Sequence, residues 1–209
     1  ESVNFNYGVF DFEEKNFLLN FARGRMRYMM DAETSAPEEA WYAEVGRSVT
    51  RQRLALDAAQ AAALRDDLLW NLRPQNAGYD YDYYVDNCTT RVRDAFDRVL
   101  DGAVKTQLQA HAGQFTYRQQ TVRLMSAQPW LMLMLDLGLG PYADQPLTAW
   151  QESFLPSVLQ TQLRQVRIAG PDGASHPLVR DERVVSPNRL VPPPASPPDL
   201  RGPLAAAGL

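Results

Sequence analysis

The chain carries one cysteine, and it stands inside the run Tyr83-Tyr84-Val85-Asp86-Asn87-Cys88-Thr89-Thr90-Arg91. Asp86 or Asn87 reads as a helix N-cap, so Cys88 falls in the first turn of the helix that follows. Unpaired backbone N–H groups and the positive dipole end stabilise an anion there, and Arg91, one turn on, adds to the effect. Those are the conditions that raise the thiolate fraction of a cysteine and make it a nucleophile. The face Cys88, Val92, Ala95 and Phe96 turns the thiol towards the interior. A cysteine on such a face is also the ordinary pattern of a small buried hydrophobe, so both readings stand at this point.

A cysteine nucleophile needs a base, usually a histidine brought close by the fold. Two histidines are present. His111 lies in the connector Ala110-His111-Ala112-Gly113, and His176 lies beside a turn and before Pro177; both read as solvated loop residues. The histidines are not at metal-ligand spacing, and one cysteine supports neither a disulfide framework nor a cysteine zinc cage. Asp66-Asp67 has no complementary calcium ligand set. Nucleophile-elbow, Walker, dinucleotide and zincin motifs are missing, so no cofactor or metal is implied. Tyr79, Tyr81, Tyr83 and Tyr84 alternate with acidic Asp80 and Asp82, which fits a sheet edge and not a base-stacking surface.

The elements that must position Cys88 can be read from pattern. Alternation predicts strands over Val3–Val9, Met26–Met30 and Val49–Leu56. A helix is expected near 13–21 with Gly24 as its stop, and a short one opened by Pro37 and carrying Trp41 and Val45. Asp57 with Gln60 resembles a capping box for a helix lined by Leu64, Leu68 and Leu72, ended by Pro74. Gln75–Tyr84 reads as turn-forming. The Cys88 helix shows the face Val92, Ala95, Phe96, Val99 and Leu100 and closes at Gly102. Asp94 and Asp97 are spaced to hold Arg91, Arg93 or Arg98. Further helices are expected over 116–127, 129–137, 147–154 and 156–167, with Pro171-Asp172-Gly173 as a turn between short strands. Pro129–Gly140, the longest apolar run, is far too short to span a bilayer and reads as a buried core helix, an interfacial segment being the alternative.

The 209 residues are 45% hydrophobic and 22% charged with formal net charge −4. That is globular composition, and the acidic balance argues against a nucleic-acid binder or a polybasic membrane-surface protein. Strands early and helices late predict an α+β fold. Residues 1–185 read as one α+β domain and 186–209 as a loosely held proline-rich tail.

Four stretches together resemble a known family. They are Tyr7-Gly8-Val9-Phe10-Asp11-Phe12 with Asn16-Phe17, then Phe21-Ala22-Arg23-Gly24, then Tyr83 to Asp94. Last come Pro129-Trp130 leading to Leu137-Gly138-Leu139-Gly140, with Ala143-Asp144 and Phe154-Leu155-Pro156. The chain resembles the Lnb N-terminal periplasmic domain family, a bacterial envelope family, from about Tyr7 to about Val179. The Asn-Cys at a helix start is similar to permuted papain-like (NlpC/P60-like) enzymes, in which a helix-start cysteine packs against a sheet that supplies the histidine. The resemblance implies a small antiparallel sheet packed with helices, plus a helical C-terminal part. It implies Cys88 as nucleophile, framed by Tyr84, Asn87, Thr89, Thr90, Arg91 and Asp94. The family's Gly-His segment lies upstream of the Tyr-Gly-x-Phe-Asp-Phe stretch. No such histidine follows Glu1, so an upstream strand with the base is expected to be missing here.

The function implied is an extracytoplasmic, periplasmic or envelope-associated thiol acyltransferase or hydrolase acting on a lipid or lipoprotein, without nucleic acid or a transmembrane segment. Met26, Met29, Met30, Trp130 and Met132 would border an acyl groove, although their spacing also fits plain core packing. The rival expectation is a non-catalytic envelope domain that binds a partner protein, with a buried, unreactive Cys88. Peptidase or amidase activity is a third.

Overall fold

The structure, a computed structural model, describes residues 2–10, 26–170 and 172–199. The expected helix over 13–21, its stop at Gly24, Pro171 of the expected turn, and the motif residues Asp11, Phe12, Asn16, Phe17 and Phe21 to Gly24 lie outside the described residues.

Alternation produces β1 (Val3–Phe10) and β2 (Met26–Thr34), an antiparallel pair whose register shifts between Asn6 and Val9. Helix α1 (Ser35–Glu44) follows directly. It starts two residues before Pro37, because Thr34 is already extended as N-cap and a first-turn proline lacks only an N–H that would be unpaired anyway. Then come β3 (Val49–Leu54), α2 (Ala58–Asn71), the single turn α3 (Pro74–Ala77) and β4 (Gly78–Tyr81). The Asp57–Gln60 capping box forms as expected. Pro74 does not close α2 but opens α3, where it occupies the first turn. β4 joins β2 to complete a sheet of order β1-β2-β4, so part of the turn-like tyrosine segment is a sheet edge.

Helix α4 (Cys88–Val99) follows, then α5 (Ala103–Gln109), α6 (Tyr117–Met125), α7 (Pro129–Gly138), α8 (Ala149–Glu152) and α9 (Pro156–Leu163). Asp101, at φ 53°, takes the left-handed position after α4, and the Gly102 N–H returns to the Asp97 carbonyl. The sequence pattern shows no helix at α5, and it makes the helix at α8 twice as long as it is. The hairpin β5 (Arg167–Ala169) and β6 (Ser175–Pro177) appears where the turn signal places it. β7 (Val179–Ser186) has no counterpart in the sequence pattern; it pairs antiparallel with β3. The architecture is α+β, with three small antiparallel sheets among the described residues, packed against helices, in place of one.

Two apolar clusters meet along α4, and a third lies against the loop that precedes it. Tyr7, Met30 and Tyr79 form one, with Phe5, Tyr28, Leu68, Leu72, Tyr81, Cys88 and Val92 packed against it. Val92 also packs, with Phe96 and Val99, on a larger cluster containing Leu100, Val104, Leu108, Trp150 and Leu178. Tyr117, Leu147, Phe154 and Leu155 form the third, joined by Tyr84.

Helix α7 departs from the expected buried core helix. Met132 is buried, yet Trp130 is 81% exposed, Met134 72% and Leu137 60%. Apart from Asp136 the helix is apolar all round, and among the described residues its main packing partner is α6, so its outer side chains stay exposed. Within residues 187–199, contacts at Arg189 and Pro194 reach the rest of the chain. Arg189 donates to the carbonyls of Ala43 and Glu44 at the end of α1, and Arg123 donates to the Pro194 carbonyl. Among the described residues no helix is long and apolar enough to cross a membrane.

Leu178, fully buried, joins β3 to the segment after α9: its carbonyl accepts from the Ala55 N–H and its own N–H donates to the Val166 carbonyl. Leu178→Ala is expected to lower unfolding free energy by about 2–5 kcal/mol in urea titration. Val191→Ala, at a fully solvated position, should change it by less than about 0.5 kcal/mol.

Candidate functional site

Asn87 is the N-cap of α4 and is buried, with 5% exposure. Its Oδ1 accepts from the N–H groups of Thr89 (2.8 Å) and Thr90 (2.9 Å). Its Nδ2 donates to the carbonyls of Tyr83 (2.8 Å) and Phe154 (3.1 Å). Two acceptor sites and two donor protons are all an amide side chain has, so Asn87 is saturated. Thr90 completes the box: its Oγ1 accepts from Asn87 N–H (2.7 Å) and donates to the Asn87 carbonyl (3.0 Å). The sequence leaves Asp86 and Asn87 open as cap, and the structure chooses Asn87.

Cys88 is therefore the first helical residue, and it is partly buried. Thr89 and Thr90 give their N–H groups to Asn87 Oδ1, and Arg91 gives its own to the Asn87 carbonyl. Among the described residues the Cys88 N–H is left as the uncommitted first-turn donor. The Sγ atom sits 3.9 Å from Thr89 Oγ1. Cys88 packs against the cluster of tyrosines on the β1-β2-β4 sheet. Tyr28 stacks on Tyr81 with ring centroids 4.3 Å apart and tilts against Tyr79 at 6.1 Å. Tyr79 donates to the Tyr7 carbonyl (2.5 Å). Burial pushes the Tyr28, Tyr79 and Tyr81 phenols above their ordinary value, and the adjacent Cys88 sulfur pushes them the same way. These phenols remain neutral hydrogen-bonding groups through the physiological range. Sequence reasoning places Tyr79 and Tyr81 only at a sheet edge and misses Tyr28 as a neighbour of the thiol. The pairing of Tyr28 with Tyr79 across β2 and β4 is a register, which periodicity does not reveal.

The other candidate residues divide. Arg91 does not point a free charge at the thiol. It makes a two-pronged pair with Asp86 (2.5 and 2.6 Å), and its guanidinium lies 4.3 Å from the Tyr79 ring centre. Asp94 pairs with its neighbour Arg93, not with Arg91 or Arg98. Arg98 pairs with Asp67, and Asp97 accepts from the Lys105 backbone N–H. Arg93 is buried, donates to the Trp150 carbonyl (2.8 Å) and lies 3.8 Å from the Trp150 ring centre, which ties α4 to α8. Tyr84 does not join the thiol cluster; it packs on Tyr117 and Phe154 and bonds Thr121 Oγ1 at 2.7 Å. Its contribution is to fix the loop that leads into Asn87.

Neither histidine joins this group. His111 is exposed beside Gln107 and Gln165 in a shallow cavity of about 240 Å³. His176 sits in β6 opposite Ile168. Sequence reasoning also misses Glu152. Its buried carboxylate accepts from Gln114 N–H (2.6 Å), Phe115 N–H (3.1 Å) and Gln120 Nε2 (2.6 Å), which fixes the connector after His111. Among the described residues no group of three His, Cys, Asp or Glu side chains is placed to hold a metal ion. Of the expected acyl-groove residues, Met30 is buried with Tyr7 and Tyr79, whereas Trp130 and Met132 belong to α7.

Removing the Asn87 amide leaves the buried Phe154 carbonyl, the Tyr83 carbonyl and two helix N–H groups without this partner. Asn87→Ala is expected to cost about 2–4 kcal/mol of stability in denaturant titration. The buried tyrosines set a second expectation. Burial raises the Tyr7, Tyr79 and Tyr81 phenols, and Tyr117 is pushed up to about 12. An unfolded tyrosine titrates near ~10, so the folded state binds more protons above that value. Stability is then full below pH ~10 and falls as pH rises through the raised values. A phenolate absorbance titration should show these tyrosines ionising together with the loss of near-ultraviolet circular dichroism, and not before it.

The family model of the Lnb N-terminal periplasmic domain matches residues 1–128 of the 209. The resemblance read from the sequence runs on to about Val179; its stretches from Pro129 onward lie beyond the matched region. No curated protein and no solved structure matches the chain. The matched region holds the β1-β2-β4 sheet, the Asn87 cap, Cys88 and the whole of α4, and the chain belongs to the Lnb N-terminal periplasmic domain family.

Proposed function

We propose that the protein is an extracytoplasmic cysteine-dependent acyltransferase or hydrolase acting on acyl groups of lipids or lipoproteins, with Cys88 as nucleophile. One observation carries this reading: a partly buried thiol opens a capped helix against a sheet, with its own N–H uncommitted among the described residues. That juxtaposition of helix-start cysteine and sheet is also what supports the likeness to papain-like enzymes. In the proposed reaction Cys88 Sγ attacks an acyl ester carbonyl, and the Cys88 N–H donates to the developing oxyanion. The ester C–O bond breaks, and the leaving alcohol takes up the thiol proton through a base. An amine or water then attacks the thioester carbon, the C–S bond breaks, and the sulfur regains a proton. Asn87, Thr89 and Thr90 act by fixing the helix start. Arg91 holds Asp86, and Tyr84 holds the preceding loop. A histidine from a segment upstream of Tyr7, as the family resemblance implies, supplies the base, and the domain works in the periplasm or on the envelope.

A second reading, a non-catalytic envelope binding domain, draws on the position of His111 and His176 away from the thiol. The two separate in one experiment. The full-length protein is incubated with p-nitrophenyl octanoate, acid-quenched and weighed by intact mass spectrometry. The acyltransferase reading expects one hydroxylamine-labile acyl group on Cys88. It also expects turnover to fall roughly 10³-fold or more in Cys88→Ala. Wild-type turnover by Cys88→Ala removes Cys88 from the chemistry. A wild-type protein that neither acylates nor turns over supports the binding reading.

A further inference from the structure

We infer that the outer face of α7 is a docking surface for the hydrocarbon edge of a lipid bilayer, distinct from the Cys88 site. Trp130, Met134 and Leu137 recur at i, i+4 and i+7, and Leu131 flanks them at 42% exposure. The stripe is therefore one continuous strip along the helix. Its chemistry selects the occupant. Asp136, the one ionisable side chain of α7, is turned to Arg118 on the packed side. The same guanidinium closes the helix end: it donates to the carbonyls of Asp136, Leu139 and Gly140, and it pairs with Asp144. Polar groups at the C-terminal end of α7 are thus satisfied from within the protein. A helix end needs that arrangement in a low-dielectric medium and not in water.

Length and area point the same way. Ten residues make a helix of about 15 Å, half a bilayer core, so α7 lies in the interface plane and does not cross it. The four side chains expose on the order of 500 Å², short of the ~800 Å² per partner that a stable protein interface takes. A bilayer imposes no such minimum, because it conforms to the side chains it takes in. Exposed Trp130 at one end and exposed Tyr142 beyond the other are amphipathic aromatics suited to the headgroup boundary. None of the four side chains is charged, so their contact is apolar and does not select anionic lipid.

Vesicle co-sedimentation of the full chain tests this. With neutral phosphatidylcholine vesicles the wild-type protein is expected to bind. Trp130→Ser/Met134→Ser/Leu137→Ser should bind about 10-fold more weakly or worse, while Trp41→Ser, an exposed aromatic on α1, should bind as wild type does. Circular dichroism checks that the triple variant is folded, and Met134→Asp alone serves if it is not. Cys88→Ala should bind vesicles normally, so failure of the catalytic reading leaves this one standing. The inference is overturned if the wild-type protein stays in the supernatant, or if the variants bind equally. Binding confined to anionic vesicles and abolished by salt also overturns it. So does a concentration-dependent dimer in vesicle-free sedimentation velocity that the triple variant lacks, which assigns the face to a second copy.

Discussion

The side-chain amide of Asn87 holds this structure in register. Four hydrogen bonds leave it in four directions: two into the first turn of α4, one to the loop at Tyr83, one to the Phe154 carbonyl across the molecule. A buried amide with every site filled contributes strongly and is costly to disturb, because three of its four bonds are buried and breaking them strands groups away from water. Through it, the start of the Cys88 helix, the tyrosine loop and the C-terminal helices share one set of coordinates. Without it Cys88 would still sit in an amphipathic helix, but the helix start would lose its ties to the Tyr83 loop and to Phe154.

From that anchor the helix α4 distributes the load. Val92 faces two clusters at once, and Phe96 and Val99 continue into the larger of them. Arg93 enters the interior with its charge matched by Asp94, the Trp150 carbonyl and the Trp150 ring. Arg91 is likewise matched by Asp86 and Tyr79. Both arginines nearest the thiol in sequence are therefore structural in their bonding.

Local chemistry is legible in the sequence; long-range pairing is not. The Asp57–Gln60 box, the Asn87 cap, the close of α4 near Gly102 and the first two strands are written in residues a few positions apart. β7 escapes because the pairing of Val179–Ser186 depends on a strand more than a hundred residues earlier, and its mixed charges mask any alternation. Helical spacing brings Arg91 to bear on the thiol, but Asp86 outcompetes that role from just before the helix. Tyr28 and Glu152 are invisible to spacing for the same reason: their partners are set by register and by loop packing. Helix α7 reads as core in the sequence because hydrophobicity alone does not say how many sides of a helix find a neighbour.

The central claim is that Cys88 is a working thiol in the folded protein and not a sealed core residue. The most direct test is its alkylation rate by iodoacetamide at about pH 7, native against guanidinium-unfolded, read at Cys88 by peptide mass spectrometry. The account predicts that the folded protein reacts at least as fast as the unfolded chain. A thiol modified only after unfolding would contradict it and leave Cys88 as packing for the tyrosine sheet.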